Sequence, residues 1–256
     1  MHIETMGAHD ARHDLVLIHG WAMHGGIFAP LLEQLGAELR VHLVDLPGHG
    51  RSNGEARFEL ADCAARIAAR VPRAIWVGWS LGGIVALRAA LDHAPQVRGV
   101  AAIAASPRFV AGSDWQHGVP MEVFSGFESS LQGGYRDTVE RFLALETMGS
   151  PHAQIELREL KARVFAHGEP SLTALRDGLH ALENHDLRAE ISTLSMPSLW
   201  ISARRDRLVP PAAMQWAAQQ APRSRQIEIN SGHAPFISHA REIATALHAF
   251  AAELPA

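Results

Sequence analysis

The feature that most constrains this chain is Gly78-Trp79-Ser80-Leu81-Gly82-Gly83, set between the apolar run Ala74-Ile75-Trp76-Val77 and the helix-like Ile84-Val85-Ala86-Leu87-Arg88-Ala89-Ala90. Gly-x-Ser-x-Gly in that context demands a sharp strand-to-helix turn, with small residues where neighbours would clash and a serine in a strained conformation. Such a turn lifts the Ser80 hydroxyl out of the sheet. It also leaves the next N–H groups, Leu81 first, at a helix N-terminus, where negative charge is stabilised. Ser80 is therefore the candidate nucleophile; the competing reading is a glycine-rich turn packed for structure alone.

The rest of the chain repeats the alternation of strand and helix. Short apolar runs at Leu15 to Ile18, Val41 to Val44, Ile75 to Val77, Val100 to Ile103, Leu199 to Ile201 and Ile227 to Ile229 predict strands covered on both faces. Helical patterns between them span about 27–36, 58–70, 81–93, 211–220 and 240–252. Together these predict an α/β fold with a mostly parallel central sheet flanked by helices. From Pro107 to Leu194 the rhythm breaks. No strand pattern occurs there, and helical patterns follow one another, first Phe142, Leu143, Leu145, Glu146 and Met148, then Ile155, Leu157, Leu160 and Val164. The division expected is a core domain of residues 1–106 and 195–256, with a helical cap of residues 107–194 inserted over the carboxyl edge of the sheet. Ordinary core helices are the alternative, disfavoured because the strand pattern resumes after Pro197.

A serine hydroxyl is a weak nucleophile, so a base must take its proton and a further group must fix that base's tautomer. Asn230-Ser231-Gly232-His233-Ala234-Pro235-Phe236 follows the last strand-like run, and Ala203-Arg204-Arg205-Asp206-Arg207-Leu208-Val209-Pro210 follows the one before it. His233 is thus the candidate base and Asp206 its partner, in the chain order Ser, Asp, His. Asp45, which ends its own strand, is a second possible acid; it precedes the serine, and Asp206 is preferred. His49 and His239 read as turn and surface residues. A tetrahedral intermediate needs a second amide besides that of Leu81, and His19-Gly20-Trp21, after the strand Leu15 to Ile18, is placed to supply the N–H of Trp21. The Trp21 ring reads equally as pocket wall or as core.

Composition removes several other classes. A net charge of -4 with no long run of Lys and Arg argues against nucleic acid as a partner. One cysteine, Cys63, makes no internal disulfide and falls at an apolar-periodic position with Leu60, Ala64 and Ile67, so it reads as packing. The start Met1-His2-Ile3-Glu4-Thr5-Met6-Gly7 lacks the features of a signal peptide, and no apolar run approaches the ~20 residues of a membrane helix. A cytoplasmic monomer is the expectation. The 16 histidines are scattered without a metal-ligand spacing, so no metal is expected and most of them read as surface or loop residues.

With the elbow, the His-Gly-Trp loop, Val44-Asp45-Leu46-Pro47-Gly48-His49-Gly50-Arg51-Ser52 and the Asp and His loops in view, the chain resembles the α/β-hydrolase superfamily along nearly its full length. More narrowly it resembles the carboxylesterases of the biotin pathway. That likeness rests on Trp76-Val77-Gly78-Trp79-Ser80-Leu81-Gly82-Gly83, on Thr138-Val139-Glu140-Arg141-Phe142-Leu143-Ala144-Leu145-Glu146-Thr147-Met148-Gly149 and on His233-Ala234-Pro235-Phe236-Ile237-Ser238-His239. It implies hydrolysis of the methyl ester of a pimeloyl chain on acyl carrier protein, with release of methanol and no cofactor. It implies an acyl pocket at Trp21, Leu81, Phe142, Leu143, Ala144, Leu145 and Glu146, with Trp79 nearby. Glu146 departs from what such a pocket suits, a neutral side chain. Arg136, Arg141, Arg158, Lys161 and Arg163 are candidates for a basic cap edge that receives the acidic carrier; interspersed with Glu140, Glu156 and Glu159, they also read as a solvated helix face. Other capped hydrolases, namely a short-chain esterase, a lactonase or a carbon-carbon bond hydrolase, share the same expected triad, and a ligand receptor on this scaffold is a rival of another class.

Overall fold

The computed structural model describes residues 1–36, 38–55, 57–131 and 133–254. Gln132 of the expected insertion and residues 37, 56, 255 and 256 of the expected core lie outside them.

Seven strands form one sheet: β1 (His2–Met6), β2 (His13–Ile18), β3 (Leu39–Asp45), β4 (Ala74–Trp79), β5 (Val97–Ile103), β6 (Ser198–Ala203) and β7 (Ser224–Ile229). Their order is β1-β3-β2-β4-β5-β6-β7, with β1 antiparallel to β3 and every other pair parallel. All six apolar runs lie within strands. β1 carried no apolar run, because His2-Ile3-Glu4-Thr5-Met6 is an edge strand with polar and partly exposed positions. The last strand also departs from the expectation of two covered faces. Arg225, Gln226 and Glu228 of β7 are exposed, as suits the opposite edge.

The helices are α1 (Ala29–Leu35), α2 (Leu60–Ala68), α3 (Leu81–Asp92), α4 (Met121–Leu131), α5 (Tyr135–Thr147), α6 (Ala153–Val164), α7 (Leu172–Asn184), α8 (Pro211–Gln220), α9 (Pro235–Ser238) and α10 (Ala240–Glu253). Four of them, α4 to α7, fall between β5 and β6. α3 is buried nearly all round, as its run of Ile, Val, Ala and Leu requires. It packs against α2, β4 and β5, while α1 packs against α10. Val16, Leu17, Ile18, Ile75, Val77 and Ile201 are buried in the sheet with Trp76, and each such aliphatic side chain contributes roughly 1.5–3 kcal/mol of hydrophobic stabilisation. Cys63 is buried in α2, where burial pushes its thiol up to about 12. Among the described residues no helix is long and apolar enough to cross a membrane.

The close fit of α3 against β2 dictates glycine at position 82. A Cβ there would stand 2.2 Å from the Ile18 carbonyl oxygen, and one at Gly78 would stand 2.1 Å from the Gly82 oxygen. Both obstacles are backbone, which cannot turn aside. Gly82→Ala is therefore expected to cost about 3 kcal/mol or more, seen as a lowered urea midpoint with an unchanged slope. A stability equal to that of the parent would show that the strand and helix do not approach this closely.

Parallel pairing aligns the carboxyl ends of five strands. Ile18 lies beside Gly78, Trp79 beside Ile103, Ile103 beside Ile201 and Ala203 beside Ile229. The loops that follow thus leave the sheet along one rim, the edge at which open α/β sheets form their ligand crevices.

Candidate active site

Ser80 occupies the turn between β4 and α3 with φ 53° and ψ -119°, a left-handed backbone that a side chain adopts only under constraint. The constraint is visible: the Ser80 N–H donates to Ile103 O at 3.0 Å, and Gly83 N–H donates to Ser80 O at 2.8 Å. The hydroxyl is aimed at an imidazole. Ser80 Oγ lies 2.8 Å from His233 Nε2, and His233 Nδ1 lies 2.7 Å from Asp206 Oδ2. A carboxylate only accepts, so Nδ1 carries the proton and Nε2 is left to accept from the Ser80 hydroxyl. Asp206 is oriented in turn, since its Oδ1 accepts the Leu208 and Val209 N–H groups at 2.8 and 2.9 Å.

The histidine is gripped from both sides by its main chain. Its N–H donates to Glu146 O at 2.8 Å, from the last turn of α5, and its carbonyl accepts the Trp79 indole N–H at 2.8 Å. Neither contact was visible in the pattern of residues, because each joins positions far apart in the chain. The Trp79 ring also packs on the imidazole, with centroids 5.6 Å apart. All three polar groups are buried: Ser80 is 2% exposed, His233 0% and Asp206 7%.

The His19-Gly20-Trp21 loop reaches this hydroxyl. A Cβ on Gly20 would lie 3.2 Å from the Ser80 Cβ and 3.0 Å from the Trp79 ring, so the peptide that leads into Trp21 runs against the elbow. Leu81 opens α3, where the first amides have no acceptor within the helix. His19 pins its loop through Nδ1–H to Gly20 O at 2.7 Å, while its Nε2 accepts the Leu46 N–H at 2.9 Å. Asp45, the alternative acid, is used elsewhere, accepting the amides of Gly25 and Arg51 at 2.7 and 2.9 Å.

Ten of the 16 histidines are exposed or half-buried, as the reading of most of them as surface or loop residues expects. The other six, His13, His19, His24, His42, His49 and His233, are buried, and the rings of all but His13 make internal hydrogen bonds. Burial, then the neighbouring His49, lowers His19 to about 3, and burial lowers His49 to about 4. Both start from 6.5 in the unfolded chain, so the unfolded state binds more protons below that pH. Their contribution to stability is present above pH 6.5 and is lost as pH falls toward 4. Urea midpoints are expected to drop over that window; a flat profile there would contradict the buried, neutral assignment. Among the described residues no group of three or more His, Cys, Asp or Glu side chains is arranged to hold a metal ion.

The residues expected to line an acyl pocket separate on α5. Phe142 and Leu143 are buried, Leu145 is half-buried and Ala144 is exposed. Ala144 therefore lies off the buried face, which holds the pairs Phe142 and Leu143, then Glu146 and Thr147, one turn apart. Trp21 is fully buried: its indole N–H donates to Leu175 O at 2.8 Å, and its ring meets Phe142 edge-on at 4.8 Å. Phe127 of α4, not foreseen, joins this group 5.3 Å from Phe142. Phe127 and Leu145 also line a cavity of about 400 Å³ with Val123, Gly126, Ser130 and Arg141. Glu146 is buried, with no hydrogen-bond partner on either carboxyl oxygen. Burial first, and the charge of Asp206 second, hold its carboxyl well above the ordinary range.

The expected basic edge is largely compensated. Arg136 pairs with Glu169 at 2.5 Å, Lys161 with Glu140 at 2.5 Å, Arg163 with Glu159 at 3.1 Å and Arg158 with Glu159 at 3.8 Å. Glu140 of α5, Glu159 of α6 and Glu169 of the loop before α7 reach these cations. Arg141 instead bonds Thr138 Oγ1 and Asp137 O on its own helix and borders the 400 Å³ cavity.

The model of the alpha/beta hydrolase family matches residues 15–246. This chain belongs to the alpha/beta hydrolase family. Over its full length the hydrolase is 54% identical to a pimeloyl-[acyl-carrier protein] methyl ester esterase from Xanthomonas campestris pv. campestris, with 100% of both chains aligned. A protein of the same name from Stenotrophomonas maltophilia is 51% identical, aligned over 99% of this chain and 97% of its own. Among solved structures, a hydrolase from Oleispira antarctica superposes with a TM-score of 0.85 at 20% identity, covering 98% of this chain and 94% of that one. An enol-lactonase from Burkholderia xenovorans superposes with a TM-score of 0.83 at 20% identity, covering 98% and 96%. These structures share the fold.

Proposed function

We propose that this hydrolase is a serine esterase that cleaves the methyl ester of a pimeloyl chain carried on acyl carrier protein, as a step of biotin synthesis. The chemistry rests on one observation, the hydrogen-bonded line from Ser80 Oγ through His233 to Asp206 at 2.8 and 2.7 Å. The substrate rests on the full-length likeness to esterases of that name.

In the proposed reaction His233 Nε2 takes the Ser80 proton as Oγ attacks the ester carbonyl carbon. The amides of Trp21 and Leu81 receive the oxyanion, and each such donor accounts for roughly 10²–10³ in rate. Collapse of the intermediate expels methoxide, which takes the proton from His233 and leaves as methanol. Water then gives its proton to the same histidine, attacks the acyl-enzyme and frees the carboxylic acid and Ser80. Nucleophile, base and orienting acid all come from the chain, so no metal or organic cofactor is invoked. Trp21, Leu81, Phe142 and Leu143 supply apolar surface for the acyl chain. Helices α4 to α7 act as a cap over the rim, with the exposed Arg141, which lines the cavity, as the cation best placed for the acidic carrier. The working form is a monomer in the cytoplasm.

Complementation tests the substrate. The gene is expected to restore biotin-independent growth to a strain that lacks its own pimeloyl ester esterase. Soluble protein that hydrolyses p-nitrophenyl esters and yet fails to restore growth would leave a general esterase in place of this reading.

A further inference from the structure

Glu146 is the one residue of the expected acyl pocket whose charge does not suit it, and its surroundings explain how it is tolerated. It lies in the last turn of α5, 1% exposed, with both carboxyl oxygens unpartnered. From the loop after β6 it faces Asp206, already bound to two amides and to His233. Arg205 and Arg207 of that loop are exposed, and Arg205 is engaged with Asn230 at 2.9 Å. From the loop after β7 comes His233 itself. From α6 comes Glu156, buried and accepting from Ser150 and Ser238, while Arg158 and Lys161 are exposed. α4 turns Glu122 and Glu128 to solvent, and on α5 itself Glu140 and Arg141 are exposed. Among the described residues no cation is thus set against a charged Glu146, and a lone buried carboxylate beside another is strongly disfavoured.

The same residue holds the base. Its carbonyl oxygen accepts the His233 N–H at 2.8 Å, and Gly232 packs so closely that a Cβ there would lie 2.7 Å from that oxygen. We propose that Glu146, in its uncharged acid form, is a positioning residue for His233, and that loss of its proton as pH rises withdraws the base from Ser80. An ionised side chain, repelled by Asp206 and drawn to water, leaves its site only if the last turn of α5 shifts. That turn carries the carbonyl that holds His233. The inference rests on the esterase reading, in which His233 must meet the Ser80 hydroxyl.

The test is the pH profile of kcat/KM for a short-chain p-nitrophenyl ester, each rate expressed relative to that enzyme's own plateau. The parent is expected to fall about tenfold per pH unit on its alkaline limb, recovering fully when returned to the plateau pH. Glu146→Gln, equal in size and uncharged at every pH, is expected to lose that limb and keep the acid limb where it was; Glu146→Leu, also uncharged, should do the same. In the parent, difference infrared spectra should show a protonated carboxyl band that bleaches in step with the alkaline loss of rate, a readout that needs no variant to fold. An alkaline limb that survives in either variant overturns the inference. So does a parent profile with no such limb, an acid limb displaced in Glu146→Gln, or a spectrum without the band. Ser80→Ala separates the two claims: activity retained there sinks the reading of Ser80 and His233 as nucleophile and base, whereas an unaltered limb in Glu146→Gln sinks only this one.

Discussion

Replacing Ser80 with alanine is expected to lower kcat for short-chain p-nitrophenyl esters by about 10⁴-fold or more while the thermal transition stays within a few degrees of the parent. The size follows from the chemistry. Without Oγ there is no acyl-enzyme, and the oxyanion amides and His233 are left to assist direct attack by water, a much weaker route. Stability should change little, because the turn is held by the main chain of Ser80 and not by its hydroxyl. The measurement is steady-state hydrolysis with a calorimetric scan of the same sample. Retention of a tenth or more of the activity would place the nucleophile elsewhere, whereas turnover by the parent that the variant loses with its fold intact counts against the receptor reading.

Replacing Asp206 with asparagine is expected to cost about 10⁴-fold in kcat, or roughly 5.5 kcal/mol of transition-state stabilisation. The two amides decide the outcome. Leu208 and Val209 N–H both point at Oδ1, so an asparagine must turn its carbonyl oxygen toward them and its NH₂ toward His233. Nδ1 must then accept, which moves the imidazole proton to Nε2, where it faces the Ser80 oxygen and cannot serve as a base. The fold should hold, because every hydrogen bond at residue 206 keeps a partner. Substrate binding should be nearly unaffected, so the loss should lie in kcat and not in KM. An enzyme with a small loss, or one whose activity returns in parallel with a raised KM, would mean that Asp206 does not set the tautomer.

What could be read from the residues was what is local or periodic. The six apolar runs are legible because both faces of those strands are covered, and the elbow is legible because its glycines answer to steric demands within a few residues. β1 escaped because an antiparallel edge strand such as His2–Met6 becomes a strand through pairing with β3, not through its own apolar content. The order Ser, Asp, His named three residues, and register brought them to one rim. The grips on His233 by Glu146 O and the Trp79 indole could not be read, since contacts across such separations leave no spacing in sequence. Charges stayed ambiguous for a related reason. Arg136, Lys161 and Arg158 read equally as a basic edge or a solvated helix face until the fold set Glu169, Glu140 and Glu159 against them. Glu146 read as a misfit because its burial beside Asp206 is a property of packing.

The most direct measurement is the intact mass of pimeloyl-[acyl-carrier protein] methyl ester after incubation with catalytic amounts of the purified hydrolase, alongside Ser80→Ala. Hydrolysis at Ser80 predicts a carrier lighter by one methylene with the thioester intact, methanol released in equal amount, and an unchanged mass with the variant. A methyl ester left whole by an enzyme that turns over p-nitrophenyl esters, or one cleaved equally well by Ser80→Ala, would contradict it.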